Sequence, residues 1–213
     1  MNSDVSTLAE WIAASPSTVF FGGAGVSTES GIPDFRGANG FYFQEREIPL
    51  ETVLSIDFFT QHPEAYWEWF HEIYRPVEPN GAHRTLAALE GAGLLDAVIT
   101  QNIDGLHQRA GSRAVWELHG NWERLVCTQC GAVAALSDAV TVEGDPVPAC
   151  PSCGGQMRPD IVMYGESLNE GVIEAAVSAI ARASTLIVAG TSLVVYPAAG
   201  LINYFSGDHL VLM

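Results

Sequence analysis

The chain has 213 residues, and 25 acidic side chains against nine arginines and no lysine give it a formal net charge of −16. A length of roughly 200 suits one large domain with a sizeable core, and 48% hydrophobic residues exclude a disordered chain. The acidity opposes duplex DNA or an anionic membrane as the main partner, because no counterion release would drive binding, while basic or lysine-bearing partners stay open. No apolar run reaches the roughly 18 residues of a membrane span. The opening MNSDVSTLAEW lacks the basic and then apolar layout of a secretory signal, so a cytoplasmic protein with no membrane association is expected.

Leu8, Trp11 and Ile12 recur at helical spacing and predict a helix over 6–14. Thr18-Val-Phe-Phe-Gly22 is a short apolar run closed by glycines, the mark of a buried strand. Residues 39–75 are rich in aromatics, Phe58, Phe59, Tyr66, Trp67, Trp69 and Phe70 among them, and predict a packed helical insert. Asn80 can cap a helix to about Glu90, and Ala97–Thr100 and Val115–Leu118 read as strands. Asn169 can cap a helix carrying Val172, Ile173, Ala176 and Ile180 on one face, before strands at Thr185–Ala189 and His209–Met213. Strands alternating with helices predict an α/β fold, a Rossmann-like doubly wound parallel sheet.

All four cysteines fall in one stretch, as Cys127-x-x-Cys130, 19 intervening residues, then Cys150-x-x-Cys153. Paired knuckles of this kind bring four thiolates to one tetrahedral zinc. Gly131 and Gly154 each follow the second cysteine of a pair, where the turn wants positive φ. Two disulfides are the alternative, disfavoured without a secretory signal. Four thiolates close the coordination sphere, so the zinc is expected to be structural.

The glycine turn Gly22-Gly23-Ala24-Gly25-Val-Ser-Thr28 can bring backbone N–H groups to a pyrophosphate at a helix N-terminus. Thr28 stands where a dehydrogenase fingerprint has its third glycine, so the turn alone leaves a nucleotide site and a structural strand-to-helix turn both open.

The continuation Gly23-Ala-Gly-Val-Ser-Thr-Glu-Ser-Gly-Ile-Pro-Asp-Phe-Arg36, then Thr100-Gln-Asn-Ile-Asp104, Glu117-Leu-His-Gly120, the two cysteine knuckles and Gly190-Thr-Ser192 occur in that order. Together they resemble the sirtuins, NAD-dependent protein-lysine deacylases, and bacterial members most. The resemblance implies one sirtuin domain over 1–213. Its Rossmann-like core would occupy about 1–38, 76–120 and 160–213, with a helical insert at about 39–75 and an inserted zinc-ribbon module at about 121–159. It implies that an acyl-lysine oxygen attacks C1′ of the nicotinamide ribose, nicotinamide leaves, and His119 is the base on the ribose hydroxyls. The other histidines, His62, His71, His83, His107 and His209, lack such a motif and are expected on the surface or at caps.

The same resemblance assigns NAD contacts to Gly23, Ala24, Gly25 and Thr28. Phe35 would shield C1′ from water and Arg36 would bind phosphate or ribose oxygens, with Asp34 holding the loop. Gln101 and Asn102 fall to the ribose, Ile103 and Asp104 to the nicotinamide, and Gly190, Thr191 and Ser192 to the adenosine phosphates. Acetylated protein or peptide substrates would lie as an added strand between Gly165-Glu166-Ser-Leu168 and Leu193-Val194-Val195-Tyr196, with Val162 lining the acyl-lysine channel. Succinyl- and malonyl-preferring sirtuins carry a Tyr-x-x-Arg pair; Phe70 and Ile73 stand at those positions, so neutral acyl groups, acetyl first, are expected. The rivals are NAD-dependent ADP-ribosylation, a redox dehydrogenase and a non-catalytic zinc-ribbon binding module. The chain ends inside what would be the last-but-one strand of a sirtuin, so a truncated C-terminus with weakened NAD affinity, low or absent activity and an exposed sheet edge is also an expectation.

Overall fold

A computed structural model describes residues 3–35, 37, 40, 48–139 and 145–213. After helix α1 (Ser3–Ala14) come strand β1 (Thr18–Gly22) and a 3-10 turn over Ala24–Ser30. Helices α2 (Leu50–Val53), α3 (Ile56–Gln61), α4 (Pro63–Ile73) and α5 (Gly81–Gly91) lead to β2 (Ala97–Thr100), α6 (Leu106–Arg109) and β3 (Val115–Glu117). Strands β4 (Gly120–Cys127), β5 (Val133–Ala135) and β6 (Met157–Ile161) form a second sheet, and α7 (Glu170–Arg182), β7 (Thr185–Ala189) and β8 (His209–Leu212) complete the chain.

The main sheet has the order β3-β2-β1-β7-β8, with every pair parallel. Central β1 registers Val19 against Ala97 on one side and Leu186 on the other. Alternation along each strand feeds two cores. Val19, Phe21, Ile99, Leu186 and Val188 pack with Ala176 and Ile180 of α7 on one face. Phe20, Val98 and Ile187 pack with Ile12 of α1 and Leu86 of α5 on the other. Burying each such Val, Leu, Ile or Phe side chain stabilises the fold by roughly 1.5–3 kcal/mol. Two of the helices are started by local chemistry: Asn80 accepts from the Ala82 and His83 amides, and Asn169 from Val172.

The doubly wound sheet, the helical insert and the cysteine module are all present. The second sheet, β5-β4-β6, is antiparallel. Its core of Trp122, Leu125, Cys127 and Met157 is continuous with Phe59, Tyr66, Trp67 and Phe70 of α3 and α4, so the cysteine module and the helices share one apolar interior. Backbone pairing reinforces that junction, because Ile56 N–H donates to the Tyr164 carbonyl and Tyr164 N–H to Leu54. No helix among the described residues is long and apolar enough to cross a membrane.

Candidate active site and metal centre

In open α/β sheets ligands bind beyond the carboxyl ends of the strands where the winding reverses. Here those ends are the turns after β1, β2 and β7. The first and last pack backbone to backbone: a Cβ on Gly25 would stand 2.8 Å from Gly190 Cα, and one on Gly190 (φ +62°) 2.4 Å from Val26 N. Gly25 N–H donates to the Gly190 carbonyl at 2.8 Å and Val26 N–H to Gly23 at 3.0 Å. The first bond joins the two turns and the second closes the first turn on itself, so neither donor is offered to a phosphate, and the chain continues from Gly23 as a 3-10 turn of seven residues. Above it lies a cavity of about 410 Å³ lined by Gly23, Ala24, Gly25, Asp34, Phe35, Gln101, Asn102, His119, Gly190, Thr191 and Ser192.

A second cavity, of about 290 Å³, is bordered by Val162, Met163, Gly165, Glu166, Val195 and Tyr196. Phe35, Gln101, Asn102, His119 and Val195 line both, so the two spaces meet at these five residues. His119 Nδ1 lies 2.8 Å from the Gln101 carbonyl oxygen. A carbonyl only accepts, so Nδ1 carries the proton and Nε2 keeps its lone pair. Burial lowers the His119 pKa, partly offset by that hydrogen bond. The ring is thus a neutral base at pH 7.

A third, almost wholly apolar cavity of about 70 Å³ lies beside them, bordered by Ile32, Leu54, Trp69, Ile73, Ile103 and Trp122 together with Ser27, Asn102 and Asp104. Asp104 accepts the Leu106 amide on one oxygen and the Ser27 hydroxyl at 2.6 Å on the other, and Asn102 Nδ2 donates to Ser27 Oγ. Ser27 has no signal in the sequence: a serine in a glycine-rich turn carries no spacing pattern, and its partners are 75 and 77 residues away.

The four cysteine sulfurs lie within 4.8 Å of one another, an arrangement able to hold one metal ion and too mutual for two separate disulfides. Gly131 (φ +70°) and Gly154 (φ +74°) adopt the left-handed turns that the knuckles require. The Cys130 N–H draws the Cys127 thiol down to about 6 against the effect of burial. The Gly155 N–H acts likewise on Cys153, but the neighbouring Cys130 and Cys127 sulfurs outweigh it and push that thiol up to about 12. Thiols this close resist losing every proton until a cation lies among them. The donor set fits structural zinc.

The sequence profile of the Sir2 family matches residues 23–197. The chain belongs to the Sir2 family. An NAD-dependent protein deacetylase of Clostridium acetobutylicum is 50% identical to it over 213 residues, 98% of this chain and 86% of that protein. One from Thermotoga maritima is 48% identical over 92% of this chain and 80% of its own length. Among solved structures, Sir2 with a deacetylated p53 peptide and 3′-O-acetyl-ADP-ribose superimposes with a TM-score of 0.88 at 44% identity, covering 98% of this chain and 85% of that one. Sir2Tm bound to a propionylated peptide gives 0.85 at 43%, covering 100% and 86%.

Thr28 and Val194 of this Sir2 chain, both expected at the site, border neither large cavity, while Glu166 and Asp34 border one each but spend their carboxylates within the protein. Thr28 is exposed and its hydroxyl donates to the Gly25 carbonyl. Val194 is 52% exposed. The Glu166 carboxylate is held in a bidentate pair by Arg158. Asp34 accepts the Gly37 amide, as a loop-holding role requires. Arg36 lies outside the described residues, as does most of the insert before Ile48. Of the histidines, His83 meets the surface-or-cap expectation and His107 corrects it. His83 does cap α5 but is fully buried, and His107 is buried and packs edge-on against it at 4.7 Å. Gly105 and Leu106 turn the α6 face inward, which carries His107 into the interior.

Proposed function

We propose that this Sir2-family chain is an NAD-dependent protein-lysine deacetylase, converting acetyl-lysine, NAD and water to lysine, nicotinamide and O-acetyl-ADP-ribose. The observation that carries the reading is the position of His119, a neutral base with its tautomer set, at the one place where the glycine-turn cavity and the 162–196 cavity meet. A two-substrate reaction needs that junction, whereas a dehydrogenase needs no base shared with a peptide groove.

When bound, NAD supplies an electrophilic ribose carbon and a leaving nicotinamide. Gly23, Ala24, Gly25, Gly190, Thr191 and Ser192 form the nucleotide end, with Thr28 bracing the first turn. Gln101 donates to Thr191 Oγ1 at 3.0 Å, which orients its amide along the same wall. Asn102 takes the ribose side, and Ile103 and Asp104 the nicotinamide side, with Ser27 steering both polar side chains. Phe35 borders all three cavities and excludes water where they join. His119 Nε2 takes the proton from a ribose hydroxyl. An extended acetyl-lysine peptide would lie between 165–168 and 193–196, with Val162 beside the acyl chain. One sirtuin domain comprises the sheet, the helical insert and the cysteine module. The converging thiols fit a reducing cytoplasm.

The test is to incubate the protein with an acetyl-lysine peptide with and without NAD, and to follow nicotinamide and O-acetyl-ADP-ribose. Peptide-dependent formation of both supports the reading. An ADP-ribosylated protein product without O-acetyl-ADP-ribose would replace it with the transferase, and absence of nicotinamide release would refute it.

A further inference from the structure

The segment 161–166 forms one wall of the 290 Å³ cavity, and it is tied down by a closed set of bonds centred on Arg158 of β6. Arg158 Nη1 donates to Glu166 Oε1 at 2.7 Å, and Nη2 donates to Glu166 Oε2 at 2.6 Å and to the Ile161 carbonyl at 2.8 Å. Glu166 Oε2 also accepts the Met163 amide at 2.9 Å. One guanidinium thus grips both ends of the turn, and the carboxylate grips its middle. Side-chain exposure of the pair is 17% and 26%, so water screens it less than a surface pair. The guanidinium sits 5.7 Å above the Phe59 ring of α3, which links the turn to the helical insert. Within the turn, Val162 N–H donates to the His119 carbonyl at 2.9 Å, so the wall and the base share a backbone bond.

Resting on the deacetylase reading, we infer that Arg158 is a positioning residue for the acyl-lysine peptide: through Glu166 it holds the 161–166 wall in the shape that an incoming strand pairs with. Glu166 accordingly acts by bracing the turn and not by touching the peptide. A planar fork meeting a carboxylate at two points fixes orientation as well as distance, which an ammonium does not.

The experiment uses the full chain and a fluorescently labelled acetyl-lysine peptide, with Kd measured by anisotropy, alongside the KM for NAD and the thermal midpoint. Arg158→Gln and Glu166→Gln should each weaken peptide binding about tenfold, as loss of a charge-assisted clamp predicts, with the KM for NAD within about twofold of the parent value. The double variant should be little worse than either single one, because both remove the same brace. Arg158→Lys should recover only part of the loss. Should Arg158→Gln fail to fold, the isosteric Glu166→Gln decides in the same way. Unchanged peptide Kd in folded variants would overturn the inference, as would additive losses in the double variant or a fall in thermal midpoint with peptide Kd intact. Peptide binding by the parent protein without any NAD-dependent nicotinamide release would instead refute the deacetylase reading and leave the clamp to be judged on Kd alone.

Discussion

The imidazole of His119 and the backbone of Gln101 are joined at 2.8 Å through Nδ1, which commits the proton to that side of the ring. Burial favours the uncharged ring, and the Gln101 bond only partly offsets it, so the His119 pKa lies below the usual 6.5. In the proposed reaction His119 acts as a base and is active when unprotonated. The acid limb of kcat/KM is therefore expected to centre below pH 6.5, with activity full at neutral pH, and His119→Ala should abolish deacetylation while leaving bound zinc in place. A pH–rate profile with its acid midpoint above 6.5 would contradict this assignment.

Acid should also destabilise the fold through the buried histidines. Burial, then the neighbouring His83, hold the His107 pKa down to about 3. The unfolded chain takes up that proton near the ordinary 6.5, before the folded chain does. Stability is therefore complete above pH 6.5 and declines as pH falls from there toward 3, by at most about 1.4 kcal/mol per pH unit for this group. Urea midpoints at pH 7 and pH 5 should differ less for His107→Leu than for the parent chain.

The cysteine cluster should hold zinc that folding requires and catalysis does not touch. Cys150 is buried with its sulfur 3.7 Å from that of Cys130. Cys150→Ser should lose the metal by atomic absorption and expose the β4–β6 sheet to protease. A strong chelator should lower the thermal midpoint. Retention of full stability after the metal has been stripped would argue against a structural role.

Two glycines with similar backbones should respond differently to alanine. Gly93 has φ +73° with nothing within 4 Å of an added Cβ. Gly120 has φ +79°, and an added Cβ would sit 2.1 Å from the Asp160 carbonyl oxygen. Gly93→Ala should cost about 1 kcal/mol of left-handed strain. Gly120→Ala must in addition push β6 away from His119, so a loss above about 3 kcal/mol and impaired deacetylation are expected. Equal denaturant midpoints for the two variants would show that β6 yields freely there.

Acyl selectivity should favour uncharged groups. Ile73 borders the apolar cavity beside Trp69, while Phe70 is 2% exposed and packs edge-on against Trp122. Neither position offers a cation to a succinyl carboxylate, whose burial without a partner is unfavourable. Acetyl-lysine peptides should exceed succinyl ones in kcat/KM by at least about tenfold.

Much of this molecule is legible locally. Thr18–Gly22, Ala97–Thr100 and Thr185–Ala189 are strands over the residues that pattern alone marks, because a strand buried on both faces must be a short apolar run with turn residues at its ends. Asn80 and Asn169 cap where expected, since capping engages amides only two or three residues away. Cysteine spacing and the glycines after it likewise describe a turn that the chain makes with itself. The features that local pattern does not reveal depend on residues far apart. Ser27 gains its place only because the 3-10 turn lays it on Asp104 and Asn102. Glu166 is drawn to Arg158 across the turn that ends β6, and His107 is buried because α6 faces the interior. Thr28 shows the same limit, since its hydroxyl turns back to its own helix turn. Local sequence determined the elements and the chemistry available. Only tertiary packing decided which side chains reach the cavities and which hold their walls, because hydrogen bonds and desolvation act on distance in space and not along the chain.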